Sequence, residues 1–382
     1  NSIDDFNVVK GNPVDILNVL GAGDAFMSGF LRGYLRGESL EKSANYANAS
    51  GALVVSRHGC APAIPGENEL LYYIENAANI PDPTSDITLN HLHRVSFRSK
   101  EEQEIFGFAF DHRKQLADLA EMYGEDSRKI TELKKLFIRS VENTKEKLNI
   151  PEKNIGVLID DTYGEDALNS IAEKAWWIGR PVELPGSRPL KFEGQQSIGS
   201  KLQSWPLSHV VKCLFYYHPD DSDELKIKQE QKVKELYLAC IQSGHQLLLE
   251  VIPPSEYKMD EEIIPTILKQ FYDLEIKPDW WKLPALEDKS WAQVSDVINS
   301  YDPHCQGVLL LGLSAPIDSV KDSFSVAAKY NICKGFTVGR TIFYEPAKLW
   351  MQHKISDQEL VDSVSTNYNE LIQSWKKYKE EI

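Results

Sequence analysis

The sequence predicts a (β/α)8 barrel behind a smaller α/β unit, because eight short apolar runs recur after residue 100 and helix-length charged segments separate most of them. The runs cover residues 105–110, 155–159, 181–184, 210–217, 246–252, 279–283, 307–311 and 334–338. Their spacing is roughly that of eight βα units in a closed barrel. The alternative is an open doubly wound sheet, but no Gly-rich GxGxxG turn follows a run, which favours the barrel.

Amphipathic segments between the runs fit the outer helices of such a barrel. Residues 222–242, 260–274 and 314–330 are typical of these segments. The first interval is longer than the others, and residues 113–122 and 126–148 predict two helices there.

A polar stretch marks the boundary between the two units. It follows the helical pattern of residues 67–78, and it contains Pro81, Pro83 and several small polar residues, which favour an irregular linker. We therefore predict a first unit over residues 1–80, a linker over residues 81–92 and the barrel over residues 93–382. The length of 382 residues accommodates one barrel of up to about 250 residues and a smaller unit.

The composition argues against several classes of partner. The chain has 42 basic and 57 acidic residues, and its net charge of -15 repels nucleic acid. No run approaches the ~18 apolar residues of a membrane span, so we expect no membrane partner. The five cysteines are scattered without a CxxC pair, which fits a reducing cytoplasm. The oligomeric state stays open, and a homo-oligomer is one of the possibilities.

A glycine-containing motif precedes an apolar helix near the beginning of the chain. In Gly21-Ala22-Gly23-Asp24 the free N–H groups of the helix start can stabilise negative charge on a transferred phosphoryl group. An aspartate at this place can take the proton from an attacking hydroxyl. The alternative interpretation is a simple turn and helix cap.

Two segments around this motif resemble the end of ribokinase-like (PfkB) sugar kinases, and in particular the 5-dehydro-2-deoxygluconokinases of inositol breakdown. They are residues 15–26 (DILNVLGAGDAF) and 47–59 (ANASGALVVSRHG). The resemblance implies that Ala22 and Gly23, next to Gly21, form an anion hole. It also implies that Asp24 is the catalytic base and that Asn48 lies near the nucleotide.

This resemblance covers about the first 80 residues, and the chain begins without an initiator methionine. We therefore expect a fragment of a longer parent protein, in which the sheet with the sugar site lies upstream. The resemblance implies that the parent kinase uses ATP and Mg²⁺.

Polar residues that interrupt or end the apolar runs are the candidates for chemistry in the barrel, because catalytic groups of barrels lie at the C-terminal ends of strands. Five such ends are residues 110–113 (FDHR), 158–161 (LIDD), 211–213 (VKC), 249–251 (LEV) and 281–283 (WKL).

Lys282 is the candidate nucleophile, since burial in an apolar strand disfavours the charged form of a lysine and leaves a neutral amine to attack a ketone. Strand alternation allows Glu250 on the preceding strand to face the same cavity. The structural alternative is a Lys–Glu ion pair that fills the barrel. Lys212 is the rival nucleophile, because it also interrupts an apolar strand.

Five segments resemble, in order, the class I tagatose-bisphosphate aldolase family over most of residues 105–349. They are residues 211–220 (VKCLFYYHPD), 247–250 (LLLE), 279–282 (DWWK), 311–314 (LGLS) and 338–340 (VGR). The resemblance implies that Lys282 forms the Schiff base and that Glu250 is its acid/base. It makes Asp111, Lys212 and Arg113 polar groups that contact the substrate.

The loops after the seventh and eighth runs predict a phosphate site, as barrels often hold phosphate there. Gly312, Ser314, Gly339 and Arg340 supply backbone N–H groups, a hydroxyl and a guanidinium. The alternative is that the glycines only form tight turns and the arginine pairs with a surface acid. Arg188 lies in residues 185–190 (PGSRPL), which depart from the family pattern, and it is the candidate for binding a substrate carboxylate.

Metal chemistry has little support in the sequence. The nine histidines form no HExxH motif, and the close pair His91 and His93 falls in the predicted linker. We expect no metal and no organic cofactor for the aldolase.

The two resemblances together imply consecutive steps in the breakdown of a phosphorylated keto-sugar acid. The aldolase would cleave 6-phospho-5-dehydro-2-deoxy-D-gluconate to dihydroxyacetone phosphate and 3-oxopropanoate. Two alternatives stay open: a barrel that only binds phospho-sugar or scaffolds the kinase, and an aldolase for another ketose phosphate. A shared cavity for Lys282 and Glu250 would favour catalysis.

We expect this chain to lack kinase activity, because the resemblance places the sugar-binding sheet upstream of it. The measurement is ATP-dependent phosphorylation of 5-dehydro-2-deoxygluconate by the 382-residue chain. Measurable turnover would contradict this expectation.

Overall fold

The computed structural model describes residues 8–96, 104–194 and 196–381. The chain divides into two compact units, Asn1–Glu101 and Glu102–Ile382. The described part of the first unit is helical, and its helices are α1 (Ala22–Leu35), α2 (Leu40–Val55), α3 (Glu67–Asn76) and α4 (Ile87–Ser96), with short 3₁₀ turns at Ala61–Ala63 and Ala77–Asn79.

Two glycines allow α1 and α2 to pack closely. A Cβ atom on Gly29 would lie 2.5 Å from the carbonyl oxygen of Tyr46, and one on Gly33 would lie 2.5 Å from Oγ of Ser43. No side chain fits at such distances, so the bare glycines bring the two helices together.

Helix α4 stands where part of the linker was predicted. Asp86 accepts a hydrogen bond from the backbone N–H of Leu89 at 2.8 Å and so starts the helix. Leu89 then packs against Leu53, Leu70 and Tyr73 of the first unit. Pro81 and Pro83 lie before the first residue of this helix, so they do not interrupt its hydrogen bonds.

The second unit is a closed barrel of eight parallel strands in the order β1 to β8, with β8 paired to β1, and the predicted (β/α)8 fold is confirmed. The strands are β1 (Ile105–Ala109), β2 (Ile155–Leu158), β3 (Trp177–Pro181), β4 (His209–Tyr216), β5 (Leu247–Ile252), β6 (Trp280–Leu283), β7 (Gly307–Leu310) and β8 (Cys333–Val338).

Ten helices of this unit follow the strands, two of them in the long first interval as predicted. They are α5 (Lys114–Met122), α6 (Ser127–Leu148), α7 (Asp161–Ser170), α8 (Ile198–Leu202), α9 (Asp223–Ser243), α10 (Ile263–Asp273), α11 (Asp288–Tyr301), α12 (Ile317–Ala327), α13 (Arg340–Met351) and α14 (Asp357–Glu380). None of the helices in the described ranges is long and apolar enough to cross a membrane.

The third strand was predicted wrongly at residues 181–184. The strand is Trp177–Pro181, and the chain continues extended to Glu183, which forms an isolated bridge with Phe192. The strand begins at Trp177, whose side chain lies in the barrel interior, but Arg180 interrupts its apolar run. The run was therefore placed too late in the sequence. Glu183 therefore lies beyond the end of β3, where barrels carry their functional groups.

A layer of apolar side chains fills the barrel below its C-terminal end. It consists of Ile105, Ala109, Leu158, Trp177, Val210, Leu248, Trp280 and Leu309, all buried. The rings of Trp177 and Trp280 meet edge to face with centroids 6.0 Å apart. Because side chains alternate along a strand, the residues two positions after Val210, Leu248 and Trp280 also point inward.

A buried ion pair joins α6 to the barrel wall. The Lys134 amine donates to the Asp160 carboxylate and, at 2.9 Å, to the carbonyl oxygen of Phe110, and both charged side chains are fully buried. Asp160 also caps α7 through the backbone N–H of Tyr163 at 2.9 Å. The pair thus fixes the ends of β1 and β2 to the outer layer.

Lys134→Met should therefore lower the free energy of unfolding by roughly 3–5 kcal/mol, because it leaves a buried carboxylate without its cation. Urea denaturation measures this difference. Lys135→Met is the matched control, since its partner Asp166 is at the surface and both side chains are at least half exposed. That variant should change stability by less than about 1 kcal/mol. Equal small losses in both variants would contradict the assigned role.

Candidate active site

A cavity of about 230 Å³ opens at the C-terminal ends of the barrel strands. Most of the predicted barrel site residues line it. From the early and central strands these are Asp111, Arg113, Lys212, Glu250 and Lys282, and from the loops after β7 and β8 they are Gly312, Ser314, Gly339 and Arg340.

Lys212 lies among three carboxylates at the centre of this cavity. Its amine is 3.0 Å from Oδ2 of Asp111, 2.8 Å from Oε1 of Glu183 and 3.1 Å from Oε2 of Glu250. Burial alone would lower the pKa of Lys212, but the three carboxylates outweigh it and raise this pKa well above the ordinary lysine value. Lys212 is therefore a fixed cation.

Lys212 and the cations next to it hold the surrounding acids in their ionised form. Burial would raise the pKa of Asp111, yet Lys212 and its neighbouring cations bring this pKa far below the usual range. The pKa of Glu250 is lowered as well, because Lys212 and Lys282 outweigh burial. The centre of the site consists of charged groups that balance one another.

Lys282 and Glu250 share the cavity. The Lys282 amine is 3.1 Å from Oε1 of Glu250, and each residue is only 5% exposed. Their Cα positions are register partners on β5 and β6. The amine and the carboxylate thus meet at hydrogen-bond distance beside open space, which a pair buried solely as barrel filling would lack.

Arg113 supports the site from behind Glu183. Its guanidinium donates to the Glu183 carbonyl oxygen at 3.1 Å and lies 3.4 Å from Oε1 of Glu183 and 2.8 Å from Oε2 of Glu193. Arg113 therefore lines the cavity, and its two terminal nitrogens hold two carboxylates.

The predicted phosphate residues form one end of the cavity. Gly339 precedes α13, and Arg340 is the first residue of that helix, whose free N–H groups favour an anion. Thr341 donates to the carbonyl oxygen of Ala315 at 2.8 Å and ties the loop after β8 to the loop after β7. The hydroxyl of Ser314 and the Arg340 guanidinium lie on this same wall.

Two features show that backbone conformation is constrained at this end. Leu313 and Ser314 are consecutive non-glycine residues in the left-handed region, with φ of 44° and 63°, an arrangement that costs of order 1–3 kcal/mol per residue and is concentrated at functional sites. A Cβ atom on Gly339 would lie 2.4 Å from the Ala109 carbonyl oxygen and 2.7 Å from Cε1 of His112. Only glycine fits there.

The structure places Arg188 in a different cluster. Its guanidinium pairs with Asp221 and Glu256, and Tyr257 donates to Asp221 at 2.9 Å. Pro185 and Gly186 from the same loop line the cavity, but Arg188 itself does not. Its contact with a substrate carboxylate stays a prediction.

The N-terminal motif forms the start of α1. Gly21 has a φ of 86° and caps the helix, Ala22 is its first residue, and Asp24 lies in the first turn. A Cβ atom on Gly21 would lie 2.7 Å from Sγ of Cys60, whereas nothing lies within 4 Å of one on Gly23. The Asn48 amide donates to the carbonyl oxygens of Val9 and Lys10 at 3.3 and 3.1 Å.

Sequence reasoning missed two residues of the barrel site. Glu183 was hidden by the misplaced third strand. His112 lies in the segment 110–113 that was singled out, yet it was given no role, and it lines the cavity beside Gly339. A carboxylate that interrupts a predicted run and an imidazole just beyond a predicted strand are the signals that could have identified them. Within the described ranges, no group of three or more His, Cys, Asp or Glu side chains is arranged to hold a metal ion.

Comparison with the solved structure of an aldolase supports the barrel assignment. The chain is similar to fructose-bisphosphate aldolase from Plasmodium falciparum, with a TM-score of 0.56 and 9% identity, over 77% of this chain and 96% of that one. A protein of Corynebacterium glutamicum is also similar, with a TM-score of 0.47 and 15% identity, over 80% of this chain and 99% of that one. The barrel has an aldolase-like fold.

The N-terminal region is similar to sugar kinases. Residues 3–66 match the pfkB family of carbohydrate kinases. The 5-dehydro-2-deoxygluconokinase of Listeria monocytogenes serotype 4a (strain HCC23) is 37% identical over 68 residues, which are 18% of this chain and 21% of that protein. The Bacillus subtilis (strain 168) enzyme is 37% identical over 60 residues, 16% of this chain and 18% of that protein. The chain thus spans about a fifth of the length of these relatives.

The barrel and the segment before it match one further family over residues 69–379, which is most of the chain. That family is described as uncharacterized protein conserved in bacteria, and the chain belongs to it: it is a member of the DUF2090 family.

Proposed function

We propose that the barrel is a class I aldolase that cleaves a phosphorylated keto-sugar acid through a Schiff base on Lys282. The observation that carries the proposal is the meeting of Lys282 and Glu250 at 3.1 Å in a cavity whose other end holds Arg340. An amine, an acid/base and a phosphate cradle in one space are the parts that this chemistry needs.

The choice of Lys282 over Lys212 follows from their surroundings. Lys212 contacts three carboxylates, so its amine stays protonated and cannot attack a carbonyl. Lys282 contacts Glu250, whose other oxygen already faces Lys212. Lys282 is thus held by one shared carboxylate instead of three, and its amine can attack a carbonyl in the cavity once its proton has passed to solvent.

The reaction then follows from the positions of these groups. The neutral Lys282 amine attacks the C5 ketone, and Glu250 transfers the protons that convert the carbinolamine to an iminium and water. Glu250 or Asp111 takes the C3 hydroxyl proton as the C3–C4 bond breaks, and the iminium accepts the bonding electrons. The aldehyde leaves, the enamine is protonated at C4, and water releases the ketone from Lys282. No metal or organic cofactor takes part.

We propose 6-phospho-5-dehydro-2-deoxy-D-gluconate as the substrate, with dihydroxyacetone phosphate and 3-oxopropanoate as products. The support is the N-terminal region, whose relatives are named 5-dehydro-2-deoxygluconokinases. A kinase of that name makes a phosphorylated keto acid, and a longer parent of this chain would use ATP and Mg²⁺ for that step. The barrel would consume the product.

Arg340→Ala should weaken the binding of dihydroxyacetone phosphate by about 1.5–3 kcal/mol, because it removes a charge-assisted contact. Binding of unphosphorylated dihydroxyacetone should barely change. Calorimetric titration measures both ligands. Lys348→Ala is the control, since Lys348 is a partly exposed cation in the last turn of the same helix and does not line the cavity. Equal losses for both ligands would make Arg340 a structural residue.

Borohydride added together with the phosphorylated keto acid, or with dihydroxyacetone phosphate, should leave a reduced covalent adduct on Lys282. Peptide mass mapping locates it, and Lys282→Met should abolish it. An adduct on Lys212 would overturn the assignment of the lysine but keep the mechanism. No adduct on either lysine, with cleavage absent or abolished by a chelator, would remove the class I mechanism and favour a binding protein or a metal enzyme.

A further inference from the structure

His112 lies against the phosphate end of the cavity. It follows Asp111 beyond β1 and lines the cavity together with Gly339 and Arg340. Its ring packs edge to face on Phe343 of α13, with centroids 5.4 Å apart. The 2.7 Å approach of Cε1 to a Cβ position on Gly339 shows how closely the imidazole fits the loop that presents Arg340.

The imidazole is poorly solvated and has an unused nitrogen. The side chain is 20% exposed, and Nδ1 makes no hydrogen bond within the described part of the chain. The nearest acid is Asp111, whose Oδ1 is 3.9 Å from Nδ1. If Nδ1 were protonated, its N–H group would face the Asp111 carboxylate.

Burial and cations keep this imidazole neutral near neutral pH. Burial is the largest cause that lowers the pKa of His112, to about 4. Asp111 raises this pKa, whereas Arg340, Lys282 and Lys212 lower it further. The pKa of His112 thus depends on the charge of Arg340, the group expected to bind the phosphate.

We propose that His112 belongs to the phosphate site and takes up one proton from solvent when a doubly charged oxyanion binds beside Arg340. The inference rests on the phosphate site of the proposed function but does not depend on the aldolase chemistry. An anion at this place cancels the repulsion between Arg340 and the imidazolium and adds its own attraction. The Asp111 carboxylate faces the Nδ1 side of the imidazolium. Proton and anion then bind cooperatively.

The size of the coupling depends on how far the pKa of His112 lies below neutral pH. Each pKa unit corresponds to a factor of ten, so His112 is protonated at pH 7 only if its charged form binds the anion at least about a thousandfold more tightly. The consequence is selectivity for dianions, because a neutral or singly charged group drives the uptake less.

Sulfate is the probe that tests this coupling, since it is a tetrahedral dianion without a titratable proton near neutral pH. Calorimetric titration of the full chain with sulfate, in two buffers of different ionisation enthalpy at pH 6.5, gives the protons taken up per ion. We expect about one proton, together with an affinity that rises about tenfold for each unit of pH lowered between 7 and 5. His112→Gln should bind sulfate with no uptake.

His209→Gln is the matched control. His209 begins β4 at the opposite end of the barrel, and burial, followed by Arg180 and His245, also lowers its pKa to about 4. This variant should keep the full proton uptake. Sulfate bound without uptake by the unaltered chain, or uptake that persists in His112→Gln, overturns the role of His112.

Two further results separate this inference from the proposed function. Unchanged sulfate binding and uptake in Arg340→Ala would place the ion elsewhere and overturn the inference. Uptake that depends on both His112 and Arg340, in a chain that gives no borohydride adduct, would support the inference while the aldolase proposal fails. The pH dependence of the unaltered chain provides a test even where a variant does not fold.

Discussion

The contact of Lys212 with three carboxylates is the interaction on which the barrel site depends. Asp111, Glu183 and Glu250 come from the ends of three different strands, and their charges would repel one another strongly because all three side chains are almost completely buried. A single lysine from β4 joins them. Because Lys212 is engaged in this way, the mechanism that we propose assigns the nucleophile to Lys282 instead.

Strand geometry explains how the charged groups reach the same space. Val210, Leu248 and Trp280 fill the barrel interior, and the next inward positions on their strands are Lys212, Glu250 and Lys282. The apolar layer excludes water from below, which strengthens each ionic contact above it.

The sequence was informative where a charge interrupted an apolar run. Lys282, Glu250, Lys212 and Asp111 were identifiable for that reason, and the eight strands were recognisable apart from β3. The rest depended on contacts between distant residues. Arg188 joins Asp221 and Glu256, which lie 33 and 68 positions away on other loops, so its ion pairs could not be derived from local pattern.

Local composition also misled where tertiary packing decided the outcome. Residues 81–92 were expected to be irregular because of their prolines, yet the core of the first unit receives Leu89 and stabilises α4. Glu183 was missed because Arg180 interrupts the apolar residues of the strand before it, so the run was placed at residues 181–184 and Glu183 was taken as part of it. Both cases show that burial, known only from the fold, outweighed propensity.

The buried lysine on α6 links the rigidity of the cavity to the outer layer of the barrel. Lys134 contacts the carbonyl oxygen of Phe110, which is the residue directly before Asp111, and the carboxylate of Asp160 at the end of β2. A fluctuation that detaches α6 would therefore expose this amine and remove one of the hydrogen bonds that hold the backbone before Asp111. Local opening of the outer layer is in this way coupled to the order of the charged centre.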